Sequence, residues 1–382
     1  MTKIKKGESY EINNHQLYFS RLSVLIKLFK ENKVSPKKRW MTFKIFFFAM
    51  MAQLFIFLQR VIFAGKLNKI NVNHKAPIFI LGHWRSGTTH LHYLMSKDPG
   101  LGFVTNYHGF MISICLLGKG WLDKFVARFV PDKRPMDNVR FGMFTPSEEE
   151  QSLGNLSECS GVHSFFFPKN RTYFDKFTTF KKADAKELSD WKKAYDYVLK
   201  IVSYSSKGKR LVIKNPSNTS RAKELLSLYP ESKFVFIHRN PFEIYQSTLV
   251  LHQKMTKYQY LQDFTEEEQS DLIFYHYAEV MSTYLEKRNS IPKANLIEIG
   301  YDELSKNPIE TMSKIYAELG LEGFDAALPE MKSYLKTIND YEKNNFKPLK
   351  NEIIKRIQKE WAFTFEEWGY SIDYQEKTLQ KS

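Results

Sequence analysis

The sequence predicts an α/β protein, in which a doubly wound, mostly parallel sheet is covered by helices and preceded by a helical N-terminal extension. From residue 75 onward, short runs of Ile, Val and Phe alternate with stretches of helical period. A glycine-containing turn follows the first run, and basic residues follow two others. Apolar strands separated by helices are typical of a parallel sheet buried on both faces. We therefore divide the chain into an extension, residues 1–74, and an α/β domain, residues 75–382.

The strands and helices of the predicted domain can be placed from their patterns. Four apolar segments are the predicted strands: residues 78–81, 211–214, 234–237 and 296–299. A helix is predicted where apolar side chains keep one face at helical spacing: Leu188, Trp191, Tyr195, Val198 and Val202. Another begins at Pro308 after Asn307 and is closed by Gly320.

The most apolar part of the extension is residues 37–63, which we predict to be a single helix. Its uninterrupted apolar stretch, residues 45–58, is short for a membrane span. Five side chains form a helical stripe: Phe47, Met51, Leu54, Leu58 and Val61. Basic residues directly upstream would suit an anionic lipid surface. Three interpretations stay open: a helix buried against the domain, an interfacial helix that makes a peripheral membrane contact, and a true membrane span.

The composition is that of an ordinary globular protein with a basic surface. Of 382 residues, 43% are hydrophobic and 26% are charged, which argues against extensive disorder. The formal net charge of +15 attracts polyanions such as nucleic acid, an anionic membrane or a phosphorylated small molecule, unless the surface is merely solvated. The two cysteines, Cys115 and Cys159, support neither a disulfide framework nor a zinc site. With a polar N-terminus that lacks a secretory signal pattern, they predict a cytoplasmic location.

A glycine loop follows the first strand, in the segment PIFILGHWRSGTTHLHYLM of residues 77–95. A strand, a tight turn and a helix N-terminus in this order form a phosphate cradle, because backbone N–H groups and the helix dipole face the ligand. The spacing from Gly82 to Gly87 nearly matches the loop of nucleotide triphosphatases, but Thr88 stands where their lysine should be. The expected ligand therefore carries phosphate without being an ordinary triphosphate.

Basic residues follow two further strands at the same edge of the predicted sheet. Lys214 ends one strand, and His238 and Arg239 end another. Ligands of parallel sheets bind beyond these carboxyl ends. No acidic metal ligand is evident at these strand ends, so we expect a metal-free polyanion. Pro241 suits the first turn of a helix, so Ser247 would lie about two turns along it and could grip a second phosphate with Arg239.

The chain resembles the sulfotransferases that use 3′-phosphoadenosine 5′-phosphosulfate (PAPS), in their bacterial branch. The resemblance covers roughly residues 75–370 and is carried by ordered segments that include GHWRSGTTHL, RPMDNVRFGMFTPSEEEQSL, LVIKNPSNTSRAKELLSLYP and KFVFIHRNPFEIYQS. It implies a fold related to nucleotide kinases, PAPS as co-substrate and no metal. It also implies that the 5′-phosphosulfate is held by Arg85, Ser86, Gly87, Thr88 and Thr89, and the 3′-phosphate by Arg239 and Ser247.

Sulfuryl transfer requires a cation for the leaving oxygen and a base for the acceptor hydroxyl. Arg85 and Lys214 are the predicted cations, since Lys214 matches the catalytic lysine of the family. The cytosolic sulfotransferases place a histidine just after that lysine, but this sequence has Asn215 and Pro216 there. The candidates for the base are Glu150 and Glu148, in a run of three carboxylates that repel one another, and His108.

The acceptor is predicted to be a hydrophobic alcohol such as a steroid, sterol or lipid. Large apolar side chains crowd residues 101–180: Phe103, Tyr107, Phe110, Met111, Phe141, Met143, Phe144, Phe165, Phe166 and Phe167. Some would form core, but a pocket lined by others would favour an apolar acceptor over a carbohydrate. Alternatives are a carbohydrate or phenol acceptor, an ATP-dependent small-molecule kinase, and a non-enzymatic basic protein. A nucleic-acid partner is not expected for the enzyme.

Overall fold

The computed structural model describes residues 15–118, 120, 142–338 and 346–374, with the backbone alone for 255–258. In this part of the chain five strands form one sheet in the order β2-β3-β1-β4-β5, with every neighbouring pair parallel. Their bounds are β1 Ile78–Leu81, β2 Leu101–Phe103, β3 Arg210–Lys214, β4 Lys233–His238 and β5 Leu296–Gly300. The predicted parallel α/β fold is confirmed.

Helices precede the sheet, connect its strands and continue after it. The α-helices of the described residues are α1 Leu22–Glu31, α2 Arg39–Asn68, α3 Thr88–Met95, α4 Asn106–Met111, α5 Glu149–Leu156, α6 His163–Phe166, α7 Arg171–Thr179, α8 Ala185–Ser205, α9 Ala222–Leu228, α10 Pro241–Tyr258, α11 Glu266–Lys287, α12 Tyr301–Lys306, α13 Pro308–Glu318, α14 Phe324–Thr337, α15 Asn351–Glu360 and α16 Ala362–Trp368.

The sheet is buried on both faces because its strands are apolar at nearly every position. Phe79 and Phe236 point into a large hydrophobic cluster that includes residues of α1, α2, α8 and α11. Ile80 and Val235 point the opposite way, into a smaller cluster with residues of α3, α13 and α14. Successive side chains of a strand alternate between faces, so each strand supplies both clusters.

The four strands predicted from the sequence lie where the pattern placed them, within one residue at each end. The helix patterned from Leu188 to Val202 extends three residues further at each end, and the one predicted to begin at Pro308 does so. Strand β2 was missed. It has only three residues, with Gly102 in the middle, so it gives no periodic signal. It pairs with β3 at the sheet edge, where Gly102 lies opposite Leu211. Strand β2 matters for function because residues 104 and 105, directly after it, position a candidate catalytic residue.

Helix α2 covers the domain along only one of its faces. The buried line is Ile45, Ala49, Ala52, Ile56 and Gln59, at heptad-like spacing. The stripe predicted from the sequence, which includes Phe47 and Met51, lies instead among the exposed side chains. By length and composition, Pro36–Asn68 is long and apolar enough to cross a membrane, with 28% of its most apolar window buried. Leu17 and Leu25, which lie in the predicted extension, belong to the same hydrophobic cluster as the strands. The boundary between extension and domain at residue 74 stays a prediction.

Candidate active site at the carboxyl edge of the sheet

The loop between β1 and α3 is held in a conformation that depends on its glycines. Gly82 and Gly87 have φ values of 141° and 102°, and Arg85 has 72°. A Cβ on Gly87 would lie 2.4 Å from Cδ2 of Tyr301, and one on Gly82 would lie 2.5 Å from the carbonyl oxygen of Ile237. Left-handed backbone at a residue other than glycine is strained, and such strain clusters at ligand sites. The loop is therefore packed against the end of β4 and the start of α12.

The loop and the helix that follows it carry hydrogen-bond donors that could serve a bound ligand. Helix α3 begins at Thr88, directly after the loop, and the first N–H groups of a helix have no intrahelical acceptor. The side chain of Ser86 is buried, and among the described residues its hydroxyl has no hydrogen-bond partner. Thr219 fixes the base of the loop, since its hydroxyl accepts from the N–H of Gly82 at 2.8 Å and donates to its carbonyl at 3.0 Å. This arrangement suits an anion.

The loop is joined directly to the residues predicted to hold a second phosphate. Nε of Arg85 donates to the hydroxyl of Ser247 at 2.8 Å. Nη1 of Arg239 donates to the carbonyl oxygen of Arg85 at 3.1 Å. The Arg239 guanidinium also pairs with Glu243, with Nε 2.7 Å from Oε2, and lies 4.2 Å from the centre of the Tyr301 ring. The structure therefore brings Arg85, Arg239 and Ser247 into one cluster.

On the other side of the loop, Lys214 pairs with Glu148. Nζ of Lys214 donates to Oε1 of Glu148 at 2.5 Å. The lysine side chain is 3% exposed and the glutamate side chain is 25% exposed. Lys214 lies opposite Ile80 in the pairing of β3 with β1, so it shares the sheet edge with the loop. The positive charge of Lys214 also acts on His92 of α3, whose pKa falls to about 3 mainly through burial and secondarily through this charge.

Glu148 is delivered to this edge by the chain that continues from β2. Thr105 forms an isolated antiparallel bridge with Pro146. The N–H of Ser147 donates to the carbonyl oxygen of Val104 at 2.8 Å. Glu148 follows as the N-cap residue of α5, with extended backbone. Because β2 pairs with β3, this bridge places Glu148 beside the end of the strand that carries Lys214.

The next two glutamates are buried and accept hydrogen bonds from neighbouring side chains, although Oε2 of Glu149 has no partner among the described residues. Glu149 accepts from Tyr195 Oη at 2.8 Å and from Nδ2 of Asn218 at 2.6 Å. Glu150 binds the Arg221 guanidinium through both carboxylate oxygens, at 2.5 and 3.1 Å. Burial, helped by the charge of Glu150, raises the pKa of Glu149. Burial opposes ionisation of Glu150 too, but the charge and hydrogen bonds of Arg221, with hydrogen bonds from Ser160 and Asn215, together lower the pKa of Glu150.

His108 completes the start of a short helix. Its Nδ1 accepts from the N–H of Thr105 at 3.2 Å, while the Thr105 hydroxyl accepts from the N–H of His108 at 3.3 Å. This reciprocal arrangement is a capping box. The hydroxyl of Ser152 donates to the carbonyl oxygen of His108 at 3.0 Å. His108 is thus buried near α5 and has a structural role that accounts for its position.

The predicted donor-binding and cation residues, with Glu148, therefore fall into two adjacent groups, while the other two candidates for the base, Glu150 and His108, are held in the separate contacts described above. Around the loop lie Arg85, Ser86, Gly87, Thr88 and Thr89, with Arg239 and Ser247. Beside the loop lies the pair of Lys214 and Glu148. Sequence reasoning missed Glu243, Tyr301 and Thr219. Only Glu243 gave a local signal, since it follows Arg239 by one helical turn.

Most of the aromatic side chains between residues 101 and 180 belong to the core. Phe166 and Phe167 are fully buried, and Tyr107 and Met143 are nearly so. Among the described residues of this segment, Phe144 stands apart with an exposed ring. Phe103, Phe110 and Phe165 are partly buried, and Phe141 lies outside the described residues. The apolar pocket that we predict from this segment thus has fewer available side chains than the sequence suggests, and it stays a prediction.

The chain belongs to the sulfotransferase family, whose model matches residues 77–326. It is accordingly a transferase enzyme. The resemblance predicted from the glycine loop and the HRNPFEIYQS segment is confirmed by this match. The matched region begins one residue before β1 and ends within α14, so it contains the sheet and both groups of candidate residues.

Two curated relatives and two solved structures agree with this assignment. Proteins named omega-hydroxy-beta-dihydromenaquinone-9 sulfotransferase Stf3, from Mycobacterium bovis and Mycobacterium tuberculosis, are each 28% identical over 313 residues, or 82% of this chain and 79% of theirs. Sulfotransferase STF9 from Mycobacterium avium has a TM-score of 0.71 at 16% identity, covering 94% of this chain and 93% of that one. Sulfotransferase STF1 from Mycobacterium tuberculosis has a TM-score of 0.63 at 19% identity, covering 89% and 92%. At these identities the two structures support the fold.

Proposed function

We propose that the enzyme transfers a sulfuryl group from PAPS to a hydroxyl of a hydrophobic, lipid-like acceptor. The observation that carries this proposal is the direct connection between Arg85, Ser247 and Arg239 at the glycine loop. A donor with phosphate groups at both its 5′ and 3′ positions needs two anion sites on one surface. The loop and the Arg239 cluster would supply these two sites, and the 2.8 Å hydrogen bond from Arg85 to Ser247, which links them, supports the proposal.

The residues around the loop fit the phosphosulfate end of this donor. The buried Ser86 hydroxyl would gain a partner, and the first N–H groups of α3 would gain an acceptor. Arg239, in contact with the carbonyl of Arg85, would bind the 3′-phosphate together with Ser247. We also propose that the enzyme is cytoplasmic, as the sequence predicts.

PAPS would supply the sulfuryl group, and the chain would supply charge stabilisation and a proton acceptor. A new bond forms between the acceptor oxygen and sulfur as the bond from sulfur to the 5′-phosphate oxygen breaks. The electron pair of the broken bond stays on that phosphate oxygen. Arg85 and Lys214 would stabilise the negative charge that builds there, and they would do so more in the transition state than in the ground state.

Glu148 is our proposal for the general base. It is the one glutamate of the run 148–150 whose side chain is partly exposed, and it lies against Lys214. Glu150 is occupied by Arg221 on both carboxylate oxygens, and His108 is occupied in its capping box. Glu148 would accept the proton of the acceptor hydroxyl while Lys214 faces the departing oxygen.

Substitution of Glu148 by Gln tests this assignment. We expect turnover to fall by roughly two to four orders of magnitude, because general bases contribute about that much, while donor binding is retained. His108→Ala serves as the comparison and should lower stability rather than the chemical step. The measurements are single-turnover rates and calorimetric binding of the donor. Unchanged turnover in Glu148→Gln, or an equal loss in a still folded Glu150→Gln, would transfer the role to another residue.

The acceptor class rests on two supports of different kinds. The relatives from Mycobacterium bovis and Mycobacterium tuberculosis are named for a hydroxylated dihydromenaquinone, which is a lipid. The segment between residues 101 and 180, which also carries Glu148, has a partly buried ring at Phe110 and an exposed ring at Phe144. A sterol or steroid would satisfy the same chemistry, while a carbohydrate or phenol is the alternative.

The test is incubation of the purified protein with heavy-sulfur PAPS and a pooled panel of lipids, sterols, steroids, phenols and sugars. Mass spectrometry tracks both the labelled product and the desulfated donor. A labelled lipid or steroid would support the proposal, and a labelled sugar alone would overturn the acceptor class. If PAPS neither bound nor was consumed, the donor assignment would be wrong, and ATP with Mg²⁺ would be tested for kinase activity.

A further inference from the structure

Helix α2 presents a continuous apolar surface that the rest of the described chain leaves exposed. We call this surface the α2 face. Its exposed large side chains are Trp40, Phe43, Phe47, Phe48, Met50, Met51, Leu54, Phe55, Phe57, Leu58, Val61 and Ile62. Large contiguous apolar patches of this kind on a folded protein mark interaction sites. Scattered exposed apolar residues would need no explanation, but these are consecutive along one helix.

The charges of α2 and its flanks lie toward the two ends of this surface, with Lys44 and Arg60 as the innermost. No charged residue occurs between Ile45 and Gln59. Lys37 and Arg39 are exposed at one end of α2, and Arg60 and Lys66 are exposed toward the other. An apolar centre with basic ends complements a bilayer whose headgroups are anionic. The formal net charge of the whole chain, +15, is positive like these two ends.

The packing of α2 against the domain determines how such a helix would lie. Met41 accepts a hydrogen bond from Tyr18, and Phe63 packs edge-on against Tyr204 with ring centres 5.8 Å apart. The contacts that hold α2 to the rest of the folded chain, with Tyr18 of the extension at one end and Tyr204 of the domain at the other, thus extend from residue 41 to residue 63, which is about 33 Å of helix. That length is close to the hydrocarbon thickness of a bilayer, about 30 Å. A spanning orientation would therefore draw the attached domain into the hydrocarbon, whereas an in-plane orientation leaves it in water.

We propose that the α2 face lies in the plane of an anionic lipid bilayer, embedded between basic ends that contact the headgroups. A second copy of the chain fits the α2 face less well than a bilayer does. Because α2 is basic at both ends, pairing two α2 helices would bring like charges together in a parallel or an antiparallel arrangement. The contact itself does not depend on the sulfotransferase reaction. Its role in giving the enzyme access to a membrane-held acceptor rests on the proposed function.

The α2 face is rigidly connected to the candidate active site. Nε2 of the buried Gln59 donates to the carbonyl oxygen of Ile112, and its Oε1 accepts from the N–H of Leu116, each at 2.8 Å. Residues 112–116 follow α4, whose carbonyl at His108 accepts from Ser152 of α5. Glu148 is the N-cap residue of α5. A bilayer bound to α2 would thus hold a fixed orientation relative to Glu148.

The experiment measures flotation of the purified protein with vesicles, in the absence of donor and acceptor. One set of vesicles is phosphatidylcholine alone, and the other is an equal mixture of phosphatidylcholine and phosphatidylglycerol. The test variant combines Met51→Glu and Leu54→Glu, whose side chains are 60% and 62% exposed. The control is Ile372→Glu, an apolar side chain 45% exposed in the C-terminal region. Urea unfolding verifies that each variant is folded.

We expect the wild type and the control to float with the mixed vesicles, with weaker binding to phosphatidylcholine alone. The double variant should bind the mixed vesicles at least about tenfold less tightly, since two charges replace embedded apolar groups. Binding by the double variant equal to wild type would overturn the proposal. So would absence of wild-type binding, or a dimer in ultracentrifugation that the double variant abolishes. Transfer to a water-soluble acceptor, measured on the same proteins, reports separately on the proposed function.

Discussion

Arg239 makes three contacts whose balance decides how a 3′-phosphate would be held. Its guanidinium is paired with Glu243, packed over Tyr301 and bonded to the carbonyl of Arg85. The carbonyl bond and the ring contact can persist when an anion binds, because they use different parts of the guanidinium. Glu243 competes with an incoming phosphate for the same donors. Arg239 is thus held in place but remains available to a stronger anion.

Substitution of Arg239 by Ala should distinguish 3′-phosphorylated nucleotide from its unphosphorylated analogue. We expect affinity for adenosine 3′,5′-bisphosphate to fall roughly ten- to a hundredfold, because charge-assisted hydrogen bonds contribute about 1.5–3 kcal/mol. Affinity for adenosine 5′-phosphosulfate should barely change. Isothermal titration calorimetry with the two ligands measures both effects.

Glu243→Gln is the companion variant, because it removes the competing charge and leaves Arg239 in place. It should bind the bisphosphate at least as tightly as wild type does. An equal loss of affinity for both nucleotides in Arg239→Ala would contradict the assignment of this residue to the 3′-phosphate.

At the residue scale, the sequence predicted which residues lie at the ends of strands better than it predicted which side chains contact each other across the fold. Lys214 and Arg239 follow apolar strands, so parallel pairing alone placed them at one edge. The distinct environments of Glu149 and Glu150 could not be predicted in this way. Glu150 owes its lowered pKa to Arg221, which is 71 positions away in the sequence. Such a contact is determined by tertiary packing and leaves no local pattern.

At the element scale, the glycine loop has little room for change. Gly87 requires a positive φ and lies against Tyr301. We expect Gly87→Ala to lower the free energy of unfolding by about 1–3 kcal/mol, because a Cβ there adds backbone strain and a clash. Donor affinity should fall as well, since Gly87 directly precedes α3. Urea denaturation and donor titration measure the two effects.

Gly65→Ala is the matched control for this prediction. Gly65 lies within α2, and a Cβ added there would meet no atom within 4 Å. Alanine is the better helix former, so stability should stay constant or rise by roughly 0.5–1 kcal/mol. If Gly87→Ala were as stable as Gly65→Ala and bound donor normally, the loop would be more adaptable than its contacts indicate.

The elements themselves differed in how readily they could be predicted. The longer strands were evident because both of their faces are buried, which produces uninterrupted apolar runs. Helix α2 was also evident as a helix, but its orientation was not. Bulky side chains suggested the buried stripe, whereas the small residues Ala49 and Ala52 belong to the line that is buried. Small residues let a helix pack closely against its neighbours. A pattern based on hydrophobicity gives such residues little weight, so it does not identify the buried side of the helix.

At the scale of the whole molecule, buried histidines dominate the expected response to acid. Burial lowers the pKa of His83, His92 and His252 to about 3, and of His15 and His163 to about 4. In the unfolded chain each would titrate near 6.5. Between these values the unfolded state binds more protons, so the stability contributed by these groups is full above pH 6.5 and falls as the pH decreases. Asp175 acts in the opposite sense, because burial raises its pKa to about 6.

We therefore expect the free energy of unfolding to fall steeply from pH 6.5 toward pH 4. An independent histidine of this kind loses about 2 kcal/mol between pH 6.5 and pH 5, and several outweigh the opposing Asp175. Urea unfolding at half-unit pH steps measures the slope. His92→Leu should flatten it, since one buried imidazole is removed, while the exposed His74→Leu should not. A stability that is constant over this range would mean that these imidazoles are hydrated in solution.

The two-way bond between Thr219 and Gly82 has a consequence for how this enzyme could be rebuilt. It connects the exit of β1 to the exit of β3 across 137 positions of sequence. The donor loop and the strand that bears Lys214 are thereby fixed to each other. A chimaera that exchanged residues 82–89 alone would keep the loop's sequence and lose its alignment with the lysine. Swapping residues 78–95 together with 210–221 should keep the two aligned, so these two segments are the smallest unit that carries the loop and the lysine together.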